Sequence, residues 1–234
     1  MPLLLRLILA HIIADFFLQT DGMSQGKSSA DRARWTYLLV HSGIHALTAY
    51  LLAAAWDRWE IPLIIFASHF VIDTLKTRHK GRALRAFLLD QAAHLTVIAL
   101  LAAGYQGAEL CGEATRLIDN PETLVKYLIG YTVVLRPTSI FMNLLLKRWG
   151  KSGLTVGGLP DAGKWIGFLE RILILTFILT DSTEGIGFLL AAKSIFRYGD
   201  LNKARDIKTT EYVLVGTLTS FTIAILTGYA VKCL

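Results

Sequence analysis

A polytopic, all-α transmembrane bundle of about eight helices is the fold this sequence predicts, and three observations carry the prediction. Long apolar runs recur along 234 residues that are 53% hydrophobic and only 18% charged, whereas a soluble domain has about a quarter of its residues charged. The polar segments between the runs alternate between basic and short or acidic, the asymmetry that orients membrane helices. Four of the runs each carry a pair of metal-type side chains spaced four residues apart, and hydrocarbon tolerates such side chains only when they are satisfied.

A spanning helix needs about 20 mainly apolar residues. Runs of that order cover 3–19, 36–55, 61–76, 84–103, 123–143, 163–180, 184–198 and 210–231. The seventh is short enough to tilt, re-enter or lie in the interface. The first begins at Pro2, shows no small-residue cleavage site and contains His11 and Asp15, so it reads as a retained helix and not a signal peptide. The segment 20–35 carries Lys27, Arg32 and Arg34; 76–85 carries Lys76, Arg78, Lys80, Arg82 and Arg85; 144–164 carries Lys147, Arg148, Lys151 and Lys164; 198–209 carries Lys203, Arg205 and Lys208. The alternate segments are Trp56 to Glu60, then 104–122 with Glu109, Glu113, Asp119 and Glu122, then Asp181. Basic loops stay cytoplasmic, which puts both termini outside in a bacterial inner membrane. Trp35, Trp56, Trp59, Trp149 and Trp165 fall near span ends, where aromatic belts form.

The same basic loops account for the net charge of +6. No nucleic-acid-binding motif accompanies it, so no nucleic-acid partner is expected. Cys111 and Cys233 are too far apart in sequence for a metal knuckle. The predicted topology places both outside, where a disulfide is open to them if they are close in space.

The four pairs are His11 and Asp15, His41 and His45, His69 and Asp73, and Asp90 and His94. On a helix, residues four apart share one face, one turn apart. Counted from the inner ends of their helices, Asp15 lies four residues in, His41 five, Asp73 three and Asp90 six, which is a similar depth. One turn deeper come His11, His45, His69 and His94. Two stacked layers follow: three aspartates with one histidine, then four histidines. A single buried histidine is more often a satisfied core residue, but four pairs at one depth need a shared partner. Imidazole and carboxylate suit zinc, manganese or iron, and eight such groups exceed one tetrahedral site, so one or two divalent ions are expected. A metal-free proton relay or hydrogen-bond network is the alternative. Gln19 and Gln91 flank the cluster as hydrogen-bond partners of the ligands or as substrate contacts. Lys76 sits at the inner rim, where it either snorkels or takes part in the chemistry.

These pairs make residues 1–104 a four-helix metal-binding bundle, with 105–234 a second helical half. In the second half, Glu170, Arg171, Glu184, Lys193, Arg197 and Glu211 lie in or beside spans. They read either as ion pairs holding helices together or as a polar pocket for an anionic headgroup or a partner. The glycine-rich stretch KSGLTVGGLPDAGK lacks the order of a P-loop and reads as a loop. Gly216, Thr217 and Ser220 suit close helix packing.

The stretch HIIADFFLQ (residues 11–19), followed by the spaced histidines, resembles a bacterial membrane family catalogued as a domain of unknown function, DUF3307. The later GFLLAAKSIFRYGDL and EYVLVGTLTS are similar to the C-terminal part of its longer members. The most specific piece is HxxxDFxLQ, and the family supplies no activity to carry over. A looser likeness, without that family's further sequence pattern, is to bacterial inner-membrane metal-dependent hydrolases, which also place His and Asp on membrane helices near one face. It implies that all eight paired residues are ligands.

The leading expectation is therefore an integral inner-membrane metal-dependent hydrolase. Its ions, zinc or else manganese or iron, would sit in the cytoplasmic half of the first four helices, with Asp90 as general base and Lys76 beside it. The substrate would be a membrane lipid or lipid-linked molecule. A divalent-metal or proton-coupled transporter is the rival. A membrane partner whose metal only staples the fold is the third reading. A homo-oligomer or another membrane partner is compatible with the sequence.

Overall fold

The computed structural model describes residues 3–29, 31–78, 83–105, 121–147, 162–203 and 207–234. Every regular element among them is helical. In order they are α1 (Leu3–Ile12), continued by a widened π-helical segment Ile13–Leu18, then α2 (Asp21–Lys27), α3 (Ala33–Ala53), α4 (Glu60–Arg78), α5 (Ala83–Gly104), α6 (Pro121–Val134), α7 (Arg136–Leu146), α8 (Ala162–Leu179), α9 (Glu184–Lys203) and α10 (Ile207–Cys233). Contacts divide the chain into two units, Met1–Ile129 and Gly130–Leu234.

Three of these helices are long and apolar enough to cross a membrane: Ala83–Gly104, Pro121–Leu146 taken through the break between α6 and α7, and Thr210–Cys233. A fourth joins them if Leu3–Leu18 and Asp21–Lys27, bent by 94°, count as one broken span. The sequence-based count of eight spans is thus matched by length and composition only in part. The reason lies in the polar residues that make the chain interesting. α4, α8 and α9 each carry three or more charged residues, and α3 carries two histidines. A hydropathy scale counts each as though it faced lipid.

In the first unit α1, α3, α4 and α5 close a ring, with α1 against α3 and α5, and α4 between α3 and α5. α1 is buried nearly all round, as a helix surrounded by its neighbours must be. One end of the ring is sealed by Leu3, Leu7 and Ala10 of α1, Ala49 and Ala53 of α3, Ile61 and Ile65 of α4, and Ile98 and Leu101 of α5. At that end Arg6 donates to the carbonyl of Ala53 (2.8 Å), one of the orphan carbonyls at a helix C-terminus. At the other end α2 folds back against α3. Thr20 caps α2 by accepting from the Met23 amide (3.2 Å). A Cβ on Gly26 would lie 2.3 Å from the Tyr37 ring of α3, so only glycine lets α2 approach this closely.

In the second unit α10 packs on α8 and α7, and α8 on α9. Val134, Ile174, Leu175, Ile178, Phe221 and Ala224 form its core. α10 meets α8 closely at Gly228, where a Cβ would lie 2.9 Å from Ile178, while Gly216 faces Leu146 of α7, 3.4 Å from where its Cβ would lie. Pro137, which has no amide hydrogen, accompanies the break between α6 and α7 at Leu135. The freed carbonyls are recaptured: Thr138 Oγ1 donates to Val133 (2.8 Å) and Arg171 Nε to Val134. Unpaired backbone groups are not tolerated in an apolar surround.

Candidate metal centre

The i,i+4 pairs on α1, α3, α4 and α5 all turn into the ring, and the eight side chains meet. His11, His41, His45, His69, Asp73, Asp90 and His94 are each buried, with at most 5% of their surface exposed. Asp15, in the π-helical segment, is slightly more open, its side chain 12% exposed. Such widened turns re-aim side chains and recur at functional sites. The His11 ring centre lies 5.4, 5.3 and 5.2 Å from those of His45, His69 and His94. His69 is stacked between His45 (3.6 Å) and His94 (3.9 Å). Four histidines thus form the inner layer, beside the apolar seal.

The aspartates lie one turn toward the open end. Asp15 Oδ1 is 3.3 Å from His41 Nε2 and 3.7 Å from His45 Nε2. His94 Nε2 is 3.6 Å from Asp73 Oδ1 and 3.5 Å from Asp90 Oδ1. The second oxygen of each carboxylate is held by an N–H donor. Gln91 Nε2 donates to Asp15 Oδ2 (2.8 Å), Lys27 Nζ to Asp73 Oδ2 (2.7 Å) and Lys76 Nζ to Asp90 Oδ2 (2.6 Å). His41 Nε2 also approaches Asp73 Oδ2, at 3.5 Å. Each aspartate therefore presents Oδ1 to imidazole nitrogens and is fixed through Oδ2, the arrangement that orients a carboxylate for one-oxygen metal ligation.

Three groups of donor atoms lie within 4.8 Å of one another: His11, His45 and His69; Asp15, His41 and His45; and Asp73, Asp90 and His94. A tetrahedral zinc with its usual bond lengths holds neighbouring ligand atoms about 3.3 Å apart, so modest side-chain rotation closes any of the three. The hydrogen-bond inventory agrees with that chemistry. His41, His69 and His94 have neither ring nitrogen paired, and His11 Nδ1, His45 Nε2 and Asp90 Oδ1 are also buried without a partner. An unpaired buried polar atom costs roughly 1–3 kcal/mol, and a divalent ion is what imidazole lone pairs and carboxylate oxygens at this spacing accept. His45 belongs to two of the groups, while the third shares no residue with either. The geometry so accommodates one ion in a group containing His45 and a second at Asp73, Asp90 and His94.

Gln19 and Gln91 have different roles. Gln91 lies within the cluster, close to His11 Nε2 (3.2 Å) as well as Asp15 and Asp90. Gln19 accepts from Lys27 Nζ (2.6 Å). Lys76 reaches Asp90 from the open end, its side chain 38% exposed beside an aspartate that is 2% exposed. Lys27 is the residue that sequence reasoning missed. Taken there as a loop cation, it is carried by α2 into the bundle, where its side chain is 9% exposed. The readable signal was Thr20 as an N-cap followed by Asp21 in the first turn, which marks a helix start where hydropathy shows only a polar stretch. Ser42, buried beside His41 with its hydroxyl unpaired, was also passed over.

The polar residues of the second unit do not all gather. Glu170 pairs with Lys193 (2.6 Å), whose ammonium also lies 5.4 Å from the Phe221 ring. Arg171 spends its donors on Val134, Ser220 and Ser139. Glu184 is exposed at the first turn of α9, and Glu211 is exposed near the start of α10, beyond its first turn. Cys233 is exposed and not in a disulfide. Cys111, His79, residues 148–161 and the Arg197 side chain lie outside the described residues.

No curated protein and no solved structure matches the chain. The likeness to metal-dependent hydrolases accordingly rests on the His/Asp pattern alone. A family model does match residues 3–116, the stretch that supplies all four His/Asp helices; it is described as "Protein of unknown function (DUF3307)". The candidate metal centre lies wholly within the stretch that matches this family.

Proposed function

We propose that the first unit is the divalent-metal centre of an integral membrane hydrolase acting on a lipid or lipid-linked substrate. The observation that supports it best is the one-ended site: eight converging donors lie between an apolar seal and a mouth bearing Lys76. A blind pocket of this kind suits a catalytic ion that keeps one position open to substrate. His11, His45 and His69, or Asp15, His41 and His45, would hold one ion, and Asp73, Asp90 and His94 a second. A bound zinc, or manganese or iron, supplies an acidified water and polarises the scissile bond. The protein supplies the rest. With one ion, held by a group containing His45, Lys76 would fix Asp90 through Oδ2 and leave Oδ1 to take a proton from the attacking water; with two, Asp90 would serve as a ligand. The Lys76 ammonium faces the side from which substrate enters. In this reading the mouth faces the cytoplasmic side of a bacterial inner membrane, with eight spans and both termini outside, and the alternation of basic loops supports it.

The first test is elemental analysis by ICP-MS of detergent-purified protein beside the His11→Ala/His69→Ala double variant. Stoichiometric metal in the parent and a loss in the variant is expected. A well-folded parent without metal, prepared in the absence of chelators, refutes the proposal. With metal established, Asp90→Asn should abolish turnover of lipid esters or phosphoesters while an ion remains at the group containing His45.

One observation favours a transporter as the second reading. The chain bends by 94° between α1 and α2 beside the centre, and interrupted helices frame the substrate sites of many transporters. Metal-dependent uptake into proteoliposomes, with no hydrolysis, would put this reading first.

A further inference from the structure

We infer that the substrate group received by this centre is a phosphate, and that Lys76 is its recognition residue; this rests on the metal-centre reading above. The argument is one of charge in a place where net charge is costly. The cluster contains three carboxylates, Asp15, Asp73 and Asp90, and two ammonium groups, Lys27 and Lys76, in direct contact with two of them. Without metal the balance is one net negative charge. One divalent ion turns it to one net positive, and two ions to three. Charge that is not balanced within an apolar bundle is expensive. The loaded centre thus calls for an anion, and a neutral ester would leave the excess in place. A phosphate, with up to two negative charges and several acceptor oxygens, offsets most of it and can span two ions.

Placement agrees with this. Lys27 is enclosed, with Gln19 and Asp73 on its ammonium. Among the described residues Lys76 has a single hydrogen-bonding partner, Asp90, and over a third of its side chain is exposed. Its remaining N–H donors are those an arriving phosphate oxygen meets first. An ammonium group is no metal ligand, and Lys76 meets the cluster only through Asp90 Oδ2 among the described residues. Removing its charge should therefore spare the metal while weakening the anion.

The test uses the full chain in detergent, loaded with zinc and freed of excess, with metal content measured on every sample. Two probes are titrated calorimetrically: inorganic phosphate and a short-chain phosphatidic acid, with a neutral short-chain diacylglycerol as control. The expected result is phosphate binding that needs metal, weakened by about ten- to a hundredfold in Lys76→Met, with metal content unchanged and binding restored in Lys76→Arg. Phosphatidic acid binding tighter than phosphate identifies a lipid headgroup as the source; equal affinity identifies free phosphate. A metal-loaded protein that binds neither probe, or that binds them equally well in Lys76→Met, overturns this inference and leaves the metal centre standing. Phosphate binding by the chelated protein also overturns it, because the charge argument then fails. A parent without metal removes the centre and this inference together.

Discussion

The overlap among the three donor groups makes a countable prediction. His45 contributes to two of them and His94 only to the third. If two ions bind, His45→Ala should remove one and leave the ion at Asp73, Asp90 and His94. His94→Ala should do the converse, and the double variant should hold none. The sequence of two, one, one and zero ions is read by ICP-MS against protein concentration. Thermal unfolding supplies an independent scale. An ion present at about 100 times its dissociation constant stabilises the folded state by about 2.7 kcal/mol. For a chain of this size that corresponds to about 5–10 °C per ion. The measured quantity is the difference in Tm with metal and with chelator within each variant, so the cost of deleting an imidazole cancels. The parent should shift by about twice as much as either single variant. Loss of both ions in His94→Ala alone would refute the division into separable groups. It would mean one coupled cluster, in which His69, stacked against both His45 and His94, links the two halves.

His69→Leu removes two unpaired ring nitrogens from the interior and should stabilise the chelated protein by about 1–3 kcal/mol while weakening metal binding; a chelated variant less stable than the parent would contradict the inventory of orphan atoms. Lys27→Met strands Asp73 Oδ2 and Gln19 Oε1, and breaking a buried pair on one side should cost about 3–5 kcal/mol in chelated protein. Adding Asp73→Asn should recover part of that loss, and a double variant no more stable than the single would show that Lys27 does not act through Asp73. Arg171→Met frees the Val134 carbonyl and two serine hydroxyls in the second unit; it should lower Tm, and because every candidate ligand lies in the first unit, leave metal content unchanged. Metal loss from folded Arg171→Met would contradict that.

Much of the centre was legible because helical periodicity acts over short range. His11 and Asp15, or Asp90 and His94, must share a helix face whatever the rest of the chain does. The two-layer arrangement followed from counting residues inward from span ends, and the structure brings those eight side chains together. The N–H donors that fix the carboxylates were less legible, because they depend on contacts distant in sequence. Lys27 reaches Asp73 only because α2 folds back, and that depends on Gly26 fitting against Tyr37. Gln91 was recognised by adjacency to Asp90, yet its stronger bond is to Asp15 on α1. Span counting met the opposite difficulty. Hydropathy and charge counting cannot tell an inward histidine or ion pair from one facing lipid, and the histidines of α3 and α4, Asp73 of α4, and Glu170 and Arg171 of α8 are all buried.

Where the chain breaks local rules also carries information. Natural sequences keep propensity, packing and polar satisfaction consistent, and depart from that consistency mainly at functional sites. In the second unit the polar groups are expensive but settled: Arg171 has backbone and hydroxyl acceptors, and Glu170 has Lys193. In the first unit three histidines have no hydrogen bond at either nitrogen, although they lie among carboxylates that are themselves well anchored. A purely structural network would have been expected to pair imidazoles with those carboxylates at hydrogen-bonding geometry. Instead the Oδ2 atoms are committed to Lys27, Lys76 and Gln91, and Oδ1 and nitrogen atoms face one another at 3.3–3.7 Å. Their angles there do not make hydrogen bonds, whereas a common cation would take both sets of atoms, and on that ground we read a metal centre ahead of a proton relay built from the same residues.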